Sequence, residues 1–295
     1  MSTPVFKGVA TALITPFTDE GIDYASFCRL IEEQLTNGID ALVVCGTTGE
    51  ASTMSDEERK SVVEFVIKQV HGRVPVIAGC GSNNTSHACE LAAHACAVGA
   101  DALLAVTPYY NKSTQKGLIE HFSYVADRID IPMIVYNVPG RTGIGVTAET
   151  CRALSQHPNI NGIKEASGDI ALAAKIRSLC GNDLYIWSGN DDCTVPLMSL
   201  GALGVISVAS NIVPGTVAKL CTLCLNGSFA EATELYAKYA GLFSTLFVET
   251  NPIPVKAAMK LMGMDSGILR LPLTDISPET LIRLTEEMRG VGISV

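Results

Sequence analysis

The sequence predicts an α/β fold, a closed (β/α)8 barrel followed by a C-terminal helical extension, and three observations carry that expectation. Short apolar runs rich in Val, Ile and Ala alternate with amphipathic stretches as eight strand-helix units over about 215 residues, the number a closed parallel barrel requires. The strands are apolar almost throughout instead of alternating with polar residues, which suits a sheet covered by helices. No GxGxxG opens a helix after the first strand, so the open doubly wound sheet is the weaker alternative.

The units follow in order. A first strand is predicted from Gly8 to Leu13 and a helix from Tyr24 to Asn37, closed by Gly38. Ala41 to Cys45 is the second strand and runs into Gly46-Thr47-Thr48-Gly49-Glu50; the helix after it starts at the N-cap Ser55, with Glu58 three residues on, and reaches Val70. The third strand is Val74 to Ala78 with a helix from Ser86 to Val98, and the fourth is Ala102 to Val106 with a helix from Gln115 to Arg128. Pro132 to Tyr136 is the fifth, ahead of a short helix over Ala148 to Leu154. Strand six, Ile160 to Ala166, precedes a helix over Ile170 to Leu179. Leu184 to Trp187 and Gly204 to Val208 are strands seven and eight, with a helix from Asp192 to Leu200 between them. Beyond Pro214 only helical spacing remains, over Val217 to Leu225, Phe229 to Glu249, Val255 to Met262 and Pro278 to Arg289. The expected division is a barrel over residues 1–225 and a helical extension over 226–295.

Composition narrows the function. The 295 residues are 47% hydrophobic, enough for a large core, and the formal net charge of -9 without a run of basic residues argues against a nucleic-acid surface. Ten scattered cysteines, several inside apolar segments, fit buried thiols in a reducing compartment better than disulfides. No charged leader with an apolar stretch is read at Met1 to Gly8 and no run of about eighteen apolar residues occurs, so neither a secretory signal nor a membrane span is expected and a cytoplasmic location is. The pair Cys221 and Cys224, with no second pair, reads as helix packing and not as a zinc site. The recurrence of His87, Cys89, His94 and Cys96 along an Ala-rich helix reads the same way.

Chemistry concentrates at the carboxyl ends of the strands, where a barrel builds its site. Lys164 falls near the end of strand six, facing opposite to Ile163 and Glu165. An ammonium buried there must be paired or lose its proton and become a nucleophilic amine. Around it the strand ends bring Thr47, Thr48, Tyr109, Tyr110, Tyr136, Arg141 and Gly189, a set suited to amine-carbonyl chemistry on an acidic substrate and lacking a metal set. A neutral Lys164 would attack a ketone and form a Schiff base whose nitrogen acts as an electron sink. Tyr136 suits acid-base work, Thr47 can bridge phenols, and Arg141 offers a fork for a carboxylate while lowering the lysine pKa. Each also has a structural reading: Tyr136 as a core residue with a satisfied hydroxyl, Gly46 to Gly49 as a tight turn or phosphate cradle, and Arg141 as a loop salt bridge. Lys256, in Asn251-Pro252-Ile253-Pro254-Val255-Lys256, has no strand-end setting and is a poor nucleophile candidate.

Gly46-Thr47-Thr48-Gly49-Glu50, Pro108-Tyr109-Tyr110-Asn111, Tyr136-Asn137-Val138-Pro139-Gly140-Arg141-Thr142-Gly143, Gly162-Ile163-Lys164-Glu165-Ala166-Ser167 and Ser188-Gly189 together resemble the 4-hydroxy-tetrahydrodipicolinate synthase (dihydrodipicolinate synthase) family. That family belongs to the superfamily of class I pyruvate-dependent aldolases and N-acetylneuraminate lyase. The resemblance covers essentially the whole chain; the lysine and the strand-five tyrosine are shared by the superfamily, whereas the paired threonines, Tyr110 and Arg141 discriminate. It implies condensation of pyruvate, held as a Schiff base on Lys164, with L-aspartate 4-semialdehyde in lysine and diaminopimelate biosynthesis, with no cofactor and no metal. It further implies a proton relay of Tyr136, Thr47 and Tyr110, the last reaching into a neighbouring subunit, within a homotetramer made of two tight dimers. Thr48 would hold the pyruvate carboxylate, Arg141 the mouth and the semialdehyde carboxylate, and Gly189 and Ile206 would offer backbone groups to the pocket. Gly140 stands where the family commonly has serine. For an allosteric lysine pocket at the dimer interface the implied residues are Ser52, Arg59, Asn83, His87 and Tyr109. Because Arg59 and His87 replace the usual histidine and glutamate, inhibition by lysine is expected to be weak or absent, and strong inhibition at sub-millimolar lysine in a steady-state assay would contradict this. The rival enzyme reading is a lyase of a sialic or keto-deoxy sugar acid, which keeps Lys164 and Tyr136; the non-enzyme reading, a ligand sensor on a barrel, would require missing catalytic groups.

Overall fold

Eight parallel strands close into a barrel in the computed structural model, which describes residues 3–295. They are β1 (Gly8–Ala12), β2 (Ala41–Val44), β3 (Val76–Gly79), β4 (Ala102–Val106), β5 (Met133–Asn137), β6 (Ile160–Glu165), β7 (Tyr185–Ser188) and β8 (Gly204–Ser207), each hydrogen-bonded to its sequence neighbours, with β8 returning to β1. The helices α1 (Tyr24–Thr36), α2 (Asp56–Val70), α3 (Thr85–Ala97), α4 (Gln115–Ala126), α5 (Ala148–Leu154), α6 (Ile170–Cys180), α7 (Thr194–Ser199) and α8 (Pro214–Leu225) form the outer ring. Strand residues that point outward, such as Val9, Leu42, Leu103, Val135 and Ile163, pack under these helices. Residues that point inward, among them Ala10, Val43, Ile77, Leu104, Ile134 and Ile206, form a second core inside the barrel. Both strand faces are therefore apolar for different reasons, which is why no alternation is visible in the sequence.

Local chemistry explains most element boundaries. The Ser55 hydroxyl accepts from the Glu58 amide and the Glu58 carboxylate accepts from the Ser55 amide, a complete capping box that starts α2 where it was expected. The third strand begins two residues later than expected, at Val76, because Pro75 has no amide to donate and the Val76 amide is taken by the Asp101 carboxylate. The helix expected from Asp192 opens as a 3-10 turn, Asp191–Cys193, before becoming α7. A small antiparallel hairpin, Phe17–Thr18 with Gly21–Ile22, was not expected, since two-residue strands leave no periodicity.

After α8 the chain adds α9 (Phe229–Thr245), α10 (Ile253–Leu261) and α11 (Pro278–Gly290). Helix α9 stops at Thr245, four residues short of the expectation, and the Glu249 carboxylate instead accepts from the Ser277 amide and hydroxyl at the start of α11. The extension reaches the carboxyl end of the barrel through buried polar contacts. Lys256 on α10 donates to the Glu50 carboxylate at 2.7 Å and to the Ile268 carbonyl at 2.6 Å, with both charged groups fully buried. The Arg270 amide donates to the second Glu50 oxygen, and its guanidinium forms a fork with Glu58. Both cations lie against the face of Phe17. Among the described residues no helix is long and apolar enough to cross a membrane.

Candidate active site

The loop after β2 is the most constrained segment at the mouth. Cys45 and Glu50, at φ 54° and 53°, are non-glycine residues in the left-handed region, and they bracket Gly46-Thr47-Thr48-Gly49. Such conformations cost on the order of 1 kcal/mol or more each and persist only where surrounding contacts fix them. Here the Gly49 and Glu50 amides donate to the Gly46 and Thr47 carbonyls, the Thr15 hydroxyl donates to the Gly49 carbonyl, and Lys256 holds the Glu50 side chain. The strain turns the two threonines toward different partners. Thr47 lines the cavity at the mouth and hydrogen-bonds the Tyr136 phenol, while Thr48 is buried and its oxygen accepts from the Asn251 amide.

Lys164 stands in register with Tyr136 on β5 and Trp187 on β7, so all three point into the barrel at one level. Trp187 in turn stacks on Phe6 at 5.0 Å inside the barrel. The Lys164 side chain is 5% exposed and its Nζ lies 4.3 Å from the centre of the Tyr136 ring. Burial pulls its pKa down to about 7, the charge of Arg141 pushes the same way, and buried Asp191 resists. Asp191 is itself held by the Ser207 hydroxyl and the Val208 and Ala209 amides after β8. Burial raises the Tyr136 pKa, opposed by Arg141 and by the Thr47 hydrogen bond, so the phenol keeps its proton at neutral pH and is available as an acid. The nucleophile is the neutral amine, so kcat/KM for the carbonyl substrate is expected to fall about tenfold per unit as pH drops below 7 and to level off above it. A pH series of initial rates checks this; an acidic limb centred near 10 would mean that the barrel does not depress the lysine.

Room for the amine comes from Gly189. A Cβ there would stand 2.6 Å from the Ala166 Cβ and 3.0 Å from the Lys164 Cε, contacts too close to tolerate without displacing the lysine. Gly189→Ala is therefore expected to lower kcat by about 100-fold while the protein stays folded, because misplacing a reacting atom by an ångström has that scale of effect. Circular dichroism beside the steady-state rate checks it.

The cavity at the mouth has a volume of ≈ 240 Å³, and Thr47, Tyr136 and Arg141 line it. Arg141 lies on the short helix Pro139–Thr142, whose neighbour Gly140 is exposed with open space where a Cβ would be, so a serine there would gain no contact. Ser52, Arg59 and Tyr109 line the same continuous cavity, and Arg59 donates to the Gly79 carbonyl on its wall. Asn83 and His87 do not line it: the Asn83 carbonyl accepts from Asn111, and His87 bonds Asp56 and Ser82. The other helix histidine, His94, pairs with Glu64, and all ten cysteines are free thiols. Ile206 is buried within the barrel. Tyr110 stands apart: 92% exposed and at φ 69°, it does not line this chain's own cavity. Sequence reading passed over Asp191, Asn251 and the Glu50–Lys256 pair. Only the polar residues themselves, Asp191 next to the strand-seven end and Asn251 ahead of Pro252, could have signalled them.

A closed parallel barrel with a buried, pKa-depressed lysine facing a phenol and a hydroxyl defines an enzyme class, the (β/α)8 lyases that activate a carbonyl substrate through an amine. A model of the Dihydrodipicolinate synthetase family matches residues 5–289, and the chain belongs to that family. It is 50% identical over 291 residues to the 4-hydroxy-tetrahydrodipicolinate synthase of Thermoanaerobacter sp. (strain X514), covering 98% of both chains. Among solved structures it superimposes on the dihydrodipicolinate synthase of Aquifex aeolicus with a TM-score of 0.96 at 45% identity, covering 98% of this chain and 99% of that one. The chloride-inhibited enzyme from Acinetobacter baumannii, solved in complex with pyruvate, matches with a TM-score of 0.95 at 41% identity over 97% of this chain and 99% of that one.

Proposed function

We propose that the chain condenses pyruvate with L-aspartate 4-semialdehyde to give 4-hydroxy-tetrahydrodipicolinate, in the biosynthesis of lysine and diaminopimelate. The observation that carries this reading is Lys164, held at the floor of the site with a pKa near neutrality and beside the Tyr136 ring. The neutral amine attacks the pyruvate ketone, and loss of water leaves a protonated imine. Removal of a methyl proton gives the enamine, whose carbon attacks the aldehyde of the second substrate. The substrate's own amino group then closes onto the imine carbon and frees the lysine. Tyr136 and Thr47 move the protons, Thr48 holds the pyruvate carboxylate, and Gly189 and Ile206 shape the pocket. Arg141, exposed at the mouth, receives the semialdehyde carboxylate through a planar fork. Every step is acid-base and amine chemistry, so the reading needs no metal or cofactor.

Tyr110 completes the relay from a neighbouring subunit. Its 92% exposure, on a strained residue beside the mouth, supports a role outside its own chain and with it a homotetramer of two tight dimers. Ser52, Arg59, Asn83, His87 and Tyr109 are the proposed effector residues, of which the first two and Tyr109 line the cavity within one chain, with the weak lysine response stated above, and the cytoplasm is the proposed location. The division into a 1–225 barrel and a 226–295 extension is retained in the same sense.

A coupled assay tests the reading against its rival. Pyruvate with L-aspartate 4-semialdehyde is expected to turn over with saturation in both substrates, and sialic or keto-deoxy sugar acids are expected to be cleaved at rates at least about 1000-fold lower in kcat/KM. Comparable cleavage of a sugar acid would overturn the assignment.

A further inference from the structure

Asn251, in the turn between α9 and α10, has no part in the chemistry so far, yet it bonds two site residues at once. It is 5% exposed. Its side-chain amide donates to the Thr48 hydroxyl oxygen at 2.9 Å, and its backbone carbonyl accepts from Arg141 Nη2 at 3.2 Å. Its Oδ1 is buried with no hydrogen-bond partner. A threonine hydroxyl has one proton and two lone pairs. An amide N–H that donates into Thr48 Oγ1 occupies a lone pair and leaves the hydroxyl proton for another acceptor. Were the amide reversed, the hydroxyl would donate to Oδ1 and that proton would be spent.

We propose that Asn251 is a positioning residue for substrate binding: it fixes the polarity of Thr48 so that the hydroxyl donates to the pyruvate carboxylate, and so makes the C-terminal extension part of the binding apparatus. This rests on the reading of Thr48 given under the proposed function. The carboxylate is an acceptor only, so a threonine already donating elsewhere cannot bind it. The Arg141 contact is to the Asn251 backbone and survives any change of side chain, which isolates the amide from the mouth.

The experiment compares wild type, Asn251→Ala, Asn251→Asp, Thr48→Val and the double variant Thr48→Val/Asn251→Asp. The readouts are pyruvate KM and kcat at saturating semialdehyde, the pyruvate dependence of borohydride trapping, and melting temperature. Asn251→Asp keeps the shape but, ionised, can only accept, which turns the Thr48 hydroxyl proton toward the new carboxylate and away from the pyruvate carboxylate. It is expected to raise pyruvate KM by about 10-fold or more, and Asn251→Ala by about fivefold, with kcat within about twofold in both. A space-filling role predicts the reverse order, with the isosteric Asp the milder change. In the Thr48→Val background Asn251→Asp is expected to add less than about twofold, because the hydroxyl it reorients is gone. An unchanged KM in Asn251→Asp, or an equal penalty in both backgrounds, overturns the proposal; the second result would mean that the new charge acts without Thr48. An unchanged pyruvate KM in Thr48→Val alone would instead overturn the assignment of Thr48, a failure separate from that of Asn251.

Discussion

Lys164→Ala will leave a folded protein whose condensation rate has fallen on the order of 10⁴-fold or more, since the covalent route disappears and no other residue can replace it. The other buried lysine, Lys256, is bound to Glu50 and Ile268 and separated in the chain from the strand ends, so it cannot supply the amine. Lys164→Arg will be as inactive as the alanine variant although it restores a cation, because a guanidinium stays protonated and is no nucleophile. The pair of variants separates two roles that one substitution would confound. If arginine recovered substantial activity, Lys164 would act through its charge. Steady-state rates on variants whose far-ultraviolet spectra match the parent provide the check.

Lys256→Met will destabilise the protein by about 3–5 kcal/mol, the usual cost of stripping one partner from a buried ion pair. The Glu50 carboxyl would be left with only the Arg270 amide as a hydrogen-bond donor, in a site with no access to water. For a chain of this size the melting temperature should drop on the order of 10 °C. Glu50→Gln in the same molecule should recover most of that loss, since the uncompensated charge is then gone. Activity should fall with stability in the single variant, because Glu50 closes the strained loop that presents Thr47 and Thr48. Calorimetry with parallel rate measurements checks both, and a melting temperature within a degree or two of the parent would mean that the pair does not hold the loop.

The two variants also mark what the sequence could and could not reveal. Strand β4 and helix α5 fall on the residues expected, and the other barrel strands shift by one or two, because apolar runs bounded by Pro, Gly and capping residues are local signals. Lys164 was legible for the same reason: a charge inside a strand is conspicuous where it stands, and the motifs around it recur at strand ends. The Glu50–Lys256 pair was not, since its members are 206 positions apart and each looks ordinary among its neighbours. Asn251 read as one residue of a proline-containing loop, and its meaning depends on Thr48, 203 positions away. Asp191 carries no local signal, because what fixes it, the Ser207 hydroxyl and the Val208 and Ala209 amides, comes from the end of the next strand. Tyr110 shows the opposite case, in which the motif was plain in the sequence while a single chain leaves the side chain facing outward.

The central claim is that pyruvate is held covalently on Lys164, and reductive trapping tests it most directly. The protein is incubated with pyruvate, treated with borohydride, digested and mapped by mass spectrometry. The expected result is one pyruvate-derived adduct per chain, on the peptide containing Lys164, with no adduct formed by Lys164→Ala. An adduct on another lysine, or equal labelling of the Lys164→Ala protein, would contradict the account.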